Sequence, residues 1–165
     1  MRVIGIDPGT ATTGFGVVEE EPSGAIKVIA FGVITTQSDC PVENRLQTIF
    51  TELSSILALH QPDTGAVEKL FFQKNVTNAI AVGQARGVVL LALANAGVSI
   101  SEYTPNEVKQ SVSGYGAADK KQVQVMVQTL LNLEHMPKPD DAADALAVAI
   151  CHLHASGYKR LIQGE

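Results

Sequence analysis

The chain has little of what secreted or membrane proteins are built from. Cys40 and Cys151 are its only cysteines among 165 residues. Two cannot make a disulfide framework, and the expected setting is the reducing cytoplasm. The longest apolar run, residues 88–98 (VVLLALANAGV), falls well short of the roughly 20 residues a spanning helix needs, and reads as a buried helix. The opening residues, MRVIGIDPGT, lack the apolar stretch and small-residue cleavage site of a secretion signal. There is no internal repeat, no low-complexity tract and no linker. The length and a 45% hydrophobic content therefore point to a single domain, 1–165, with one core. The four histidines show no metal-ligand spacing.

Positive charge is also scarce. Twelve Lys and Arg face seventeen Asp and Glu, for a net charge of −5, which taken alone argues against a nucleic-acid binder. The distribution points the other way. Residues 69–121 carry Lys69, Lys74, Arg86, Lys109, Lys120 and Lys121 against Glu102, Glu107 and Asp119, a net +3 that leaves the rest at −8. Part of that remainder is a group of carboxylates that a divalent cation would neutralise. Ordinary scatter of surface charge remains the alternative.

What is present is a legible order of elements. VIGID (3–7) is a continuous apolar run ending in an acid, as a buried central strand would be. DPG (7–9) signals a turn. GFGVVEE (14–20) and AIKVIAFGVIT (25–35) read as two further strands, parted by Pro22, Ser23 and Gly24. After Pro41, apolar residues recur at three- and four-residue spacing from Val42 to Leu57, the helical period. Residues 64–70 and 98–103 predict strands, and residues 76–96 a long helix between them. Further helices are expected at Pro105–Val112, Lys120–Leu133 and Asp140 to about Ala155, with a flexible loop over 113–119. The order β-β-β-α-β-α-β-α-α-α predicts an α/β fold. Its five-stranded mixed sheet has three antiparallel strands plus two parallel ones, flanked by helices.

Four acids fall where such a fold would gather them. Asp7 ends the first strand and Glu68 lies near the end of the fourth; neighbouring strands would bring the two together at one sheet edge. Asp141 and Asp144 are three apart and share a face of the last helix. Asp140 reads as a helix cap and is left out of the group. Two like charges about 4 Å apart repel by roughly 1 kcal/mol in water and roughly 4 kcal/mol at an effective dielectric of 20. Such a group is costly without a counter-ion, and carboxylate oxygens are what Mg²⁺ takes as ligands. Each acid also has a plainer reading: a turn residue, a solvent-facing strand residue, or a partner of the helix N-terminus.

Several stretches in order carry a resemblance. GIDPG (5–9) with Gly14 and Gly16, VEKLFFQKN (67–75), GQARG (83–87), EVKQSVSGYG (107–116), KKQVQVMV (120–127) and DAADALAVAI (141–150) together resemble the RuvC family of bacterial Holliday-junction resolvases, over nearly the whole chain. The resemblance implies an RNase H-like fold and metal-dependent cutting of four-way DNA junctions. It implies Mg²⁺, or Mn²⁺ in its place, as two ions per site held by Asp7, Glu68, Asp141 and Asp144. Some relatives carry His at the position of Asp141. Phe71 matches an aromatic placed against the junction, and Lys109 and Lys120 match basic residues tied to DNA contact or catalysis. The resemblance also implies a homodimer and the RuvA–RuvB branch-migration complex as partner, with no membrane involved. Some members carry a longer basic tail after the last helix, which is not expected here.

The residues add physical readings of their own. Phe71 and Phe72 lie beside Lys69 and Lys74, and an aromatic between cations can stack on an unpaired base. Which of the two phenylalanines is core stays open. Gly83 and Gly87 inside a helix each cost about 1 kcal/mol against Ala, so they serve close packing, either on the sheet or against a second copy. Two other functions compete with the nuclease. IGIDPGTATTG resembles the phosphate loop of the actin, Hsp70 and sugar-kinase class, although that class needs two lobes. A non-catalytic junction binder would keep the fold without needing all four acids.

Overall fold

The computed structural model describes residues 1–69 and 76–163, without the side chains of 76–78 and 159–163. Five strands are described: β1 (Arg2–Asp7), β2 (Thr12–Glu20), β3 (Ile26–Thr35), β4 (Thr64–Glu68) and β5 (Ser99–Tyr103). Five helices are interleaved: α1 (Val42–His60), α2 (Val76–Asn95), α3 (Pro105–Ser113), α4 (Lys120–Leu130) and α5 (Asp140–Gln163). The strand order is β3-β2-β1-β4-β5, with β1–β2 and β2–β3 antiparallel and β1–β4 and β4–β5 parallel. This is the mixed sheet the element order predicts. Among the described residues no helix is long and apolar enough to cross a membrane.

Period-two alternation decides which residue meets which helix. On one face, Val3, Val18 and Ala66 form a core with Val108 and Val112 of α3, Val123 and Val127 of α4, and Leu146 and Ile150 of α5. On the other, Ile4, Ile6, Val17 and Val67 pack with Ile49 and Leu53 of α1 and Val89 and Leu93 of α2. Odd positions of β1 and even positions of β4 thus share the α5 face. Asp7 and Glu68 follow Val3 and Ala66 in that alternation, so both belong to the α5 side.

Helix ends depart from the sequence expectations where side chains make local bonds. Thr104 caps α3 with a full capping box to Glu107, and Asp119 does the same for α4 with Gln122. The end of the 113–119 loop is therefore a defined cap. Helix α4 stops at Leu130, short of the expected Leu133, because Asn132 turns left-handed (φ 49°) and the Leu133 N–H donates back to the Gln128 carbonyl. Helix α5 runs on to Gln163, beyond the expected Ala155. Its apolar face fades after Leu153, but no proline follows to break it.

Candidate active site

The site begins with a strip of bare backbone. Asp7 pairs with Gly14, Gly5 with Gly16 and Val3 with Val18 across β1 and β2. A methyl group on Gly14 would run into the Asp141 carbonyl, one on Gly5 into the Ala145 carbonyl, and one on Gly16 would come within 2.7 Å of the Leu146 side chain. Helix α5 therefore lies directly on the sheet at these three glycines. Its own contribution is equally small: Ala142, Ala145 and Ala149 are all fully buried. This contact sets the height of the helix, and with it the reach of Asp141 and Asp144 toward Asp7.

Glu68 arrives by the parallel pairing of β4 with β1, in which Ile6 faces Val67. Glu68, Asp141 and Asp144 then all act on Asp7. Asp7 is pushed up from 3.8 to about 7, first by burial and then by repulsion from Glu68, Asp144 and Asp141, with Lys120 opposing. Burial, and then Asp144, raises Glu68, against the pull of Lys109. Burial raises Asp144 too, with Lys120 opposing and Asp141 and Asp140 adding repulsion.

Two of the sequence-predicted lysines, Lys109 and Lys120, border this group. Lys109, Lys120, Glu68 and Asp144 line one cleft of about 260 Å³, closed at its apolar end by Val108 and Val123. Lys120 Nζ lies 3.1 Å from Asp144 Oδ2 and 3.3 Å from Asp140 Oδ2. Lys120 is the first residue of α4, fixed by the Asp119 cap, so no loop movement is needed to bring it in. Asp140 departs from the cap that its sequence position suggests. The Pro139 carbonyl accepts the first bonds of α5, and the Asp140 carboxylate turns to Lys120 and Gln124. That partnership exists only because the start of α4 faces the start of α5, which no local signal in the chain announces.

The remaining expected site residues separate. Phe71 and Lys74, with Phe72, lie outside the described residues. Gly83 and Gly87 have nothing within 4 Å of where a side chain would begin, so they do not serve packing on the sheet. They share an outward strip of α2 with Ile80 and Leu91, 60% and 54% exposed. Arg86, counted in the basic segment, is held by Glu102 of β5. His152 is a core residue: its ring bonds Tyr103 Oη at 2.8 Å and Thr64 Oγ1 at 3.0 Å. Thr10 of the β1–β2 loop and Thr13 at the start of β2 donate inward, Thr10 to the Ala81 carbonyl and Thr13 to the Gly9 carbonyl. Their hydroxyls are thus committed, which counts against a nucleotide phosphate loop.

Among the described residues, no three acidic, histidine or cysteine side chains already stand grouped around a common point. The donor set nonetheless fits a hard divalent cation: it is all carboxylate oxygen, with no thiolate or imidazole.

Known proteins match this arrangement over the whole fold. The family model described as crossover junction endodeoxyribonuclease RuvC matches residues 3–152. Curated relatives of that name include one from Heliobacterium modesticaldum, 55% identical over 94% of this chain and 95% of its own. Another, from Brevibacillus brevis, is 51% identical over 99% and 98%. The solved structure of T. thermophilus RuvC in complex with Holliday junction substrate superposes with a TM-score of 0.91, at 36% identity and 96% coverage of both chains. The sheet and its flanking helices are thus the RNase H-like fold of that enzyme. From Asp7 on β1 to the acids of α5, this chain belongs to the RuvC family of crossover junction endodeoxyribonucleases.

Proposed function

We propose that the chain forms one nuclease domain that works in the cytoplasm as a homodimer. It resolves four-way DNA junctions by paired, symmetric nicks that leave 5′-phosphate and 3′-hydroxyl ends. The observation that carries this reading is the Asp7 carboxyl, raised to about 7 at a sheet edge where Glu68, Asp141 and Asp144 all repel it. A carboxyl perturbed by burial and by neighbouring acids marks a functional site, and a divalent cation would offset the repulsion.

Asp7, Glu68, Asp141 and Asp144 would hold Mg²⁺, or Mn²⁺ in its place, as a pair of ions. Bound there, divalent ions supply water activation and charge neutralisation at the leaving oxygen of a phosphodiester. The chain's own residues do the rest. Asp7 releases its proton as a cation arrives, because ligands bind in the ionised form. Lys109 and Lys120, on the same cleft, meet the incoming phosphates, and Lys74 adds a backbone contact. Phe71 stacks at the opened crossover. The strip of Ile80, Gly83, Gly87 and Leu91 on α2 supports a two-fold interface that presents two equivalent sites to two equivalent strands. The RuvA–RuvB complex is the expected partner assembly.

The decisive experiment is a labelled four-way junction incubated with the protein and Mg²⁺. Paired nicks that ligase reseals, absent in EDTA, are expected. Equal cutting of linear duplex would refute junction selectivity.

A further inference from the structure

Lys120 is shared between two carboxylates with different roles. Asp144 is half-buried and belongs to the acid group around Asp7; Asp140, one helical turn earlier, is exposed. The two distances, 3.1 and 3.3 Å to a single ammonium, show that Lys120 needs no backbone movement to favour either. Its backbone could not move easily in any case, since the Asp119–Gln122 box holds the first turn of α4. One turn further on, Gln124 lies on the same face of α4, only 8% exposed, and its amide nitrogen makes no hydrogen bond of good geometry. That amide faces Asp140 and, ahead of Lys120, favours the ionised carboxylate. Asp140 is thus tied to α4 through Lys120, with the unpaired Gln124 amide beside it.

The arrangement has a consequence for the cation the acids would hold. In its absence, the Lys120 ammonium neutralises Asp144. A divalent ion that takes Asp144 must displace that ammonium, and the nearest acceptor left to it is Asp140. We propose that Asp140 is a positioning residue that receives Lys120 when a divalent cation takes Asp144, keeping the ammonium beside the cleft. This rests on the reading that the four acids hold such a cation. Without Asp140, Lys120 either stays on Asp144 and competes with the ion or moves off into solvent.

The test is Mn²⁺ binding by the DNA-free protein, followed by electron paramagnetic resonance or calorimetry, in a double-mutant cycle of Asp140→Asn and Lys120→Met. Each contact is worth up to a factor of about five in affinity. Lys120→Met should therefore tighten Mn²⁺ binding by about that factor. Asp140→Asn should weaken it about fivefold with Lys120 present and less than twofold in the Lys120→Met background. Asp140→Ser, which keeps a residue suited to helix starts, should repeat the result if Asp140→Asn perturbs the melting curve. Equal weakening in both backgrounds would mean that Asp140 acts only through its charge and would overturn the proposal, as would no weakening at all. If the unaltered protein binds no Mn²⁺, the metal reading fails and this inference fails with it.

Discussion

Replacing Asp7 by Asn should make the protein more stable while removing its activity. The Asp7 carboxyl ionises near pH 7 in the folded chain and at an ordinary 3.8 in the unfolded one. Between those values the folded state binds more protons, so stability falls as pH rises from about 4 to about 7 and levels off above. The gap corresponds to roughly 4 kcal/mol as an upper bound. Part of it is repulsion from Glu68, Asp144 and Asp141, which the same change removes. Asn keeps the shape and sheds the charge. In EDTA at pH 8, Asp7→Asn should be about 2–4 kcal/mol more stable by urea unfolding. At about 2–4 °C per kcal/mol for a chain of this size, the melting temperature should rise by at least about 4 °C. At pH 4 the two proteins should coincide. Millimolar Mg²⁺ should stabilise the unaltered protein and leave the variant unmoved. Protein concentration must be matched, since the proposed self-association would make stability depend on it. A variant no more stable than its parent at pH 8, or a gap that persists at pH 4, would refute the burial-and-repulsion account.

Three other changes probe the frame around the acids. Gly14→Ala places a methyl group against the Asp141 carbonyl; overpacking of this kind costs about 1–3 kcal/mol. Junction cutting should be lost in excess of that destabilisation, measured side by side. Gly87→Leu starts a side chain with nothing within 4 Å of its Cβ, so it should leave the fold intact and, if α2 forms the proposed dimer interface, shift light-scattering mass toward monomer; an unchanged mass would remove α2 from that proposal. Lys109→Ala should lower the slope of log binding constant against log salt by about 0.9, one phosphate's worth, or else slow cutting at unchanged binding. No change in either would leave Lys109 as a solvated surface charge.

Much of the frame is legible in the chain because each signal is local. A strand that ends in an acid, VIGID, has its register fixed by alternation, and Asp141 and Asp144 share a face by spacing alone. Their convergence needs only β4 beside β1, which the crossover rule supplies. The glycines are different. Gly5, Gly14 and Gly16 can be read as turn or strand residues; that they form a seat for α5 depends on residues near the other end of the sequence. Asp140 eludes a sequence reading for a related reason. An acid at a helix start is ordinarily a cap, and only the facing start of α4 gives it another partner. Gly83 and Gly87 show the opposite limit, since one chain by itself leaves them facing open space.

The glycine seat under α5 also bears on how finely the four acids can discriminate. Where helix and sheet meet through side chains, a rotamer change can absorb a misfit of about half an ångström. Backbone against backbone leaves no such slack. Asp7 and the acids of α5 are mounted on one stiff bracket, with only their own short side chains free to adjust. Mg²⁺ asks for oxygens at about 2.0–2.1 Å in a strict octahedron, whereas Ca²⁺ accepts about 2.3–2.6 Å and looser geometry. If the four acids hold the divalent ion proposed for them, a bracket of this kind would turn that small difference in radius into a difference in affinity between Mg²⁺ and Ca²⁺.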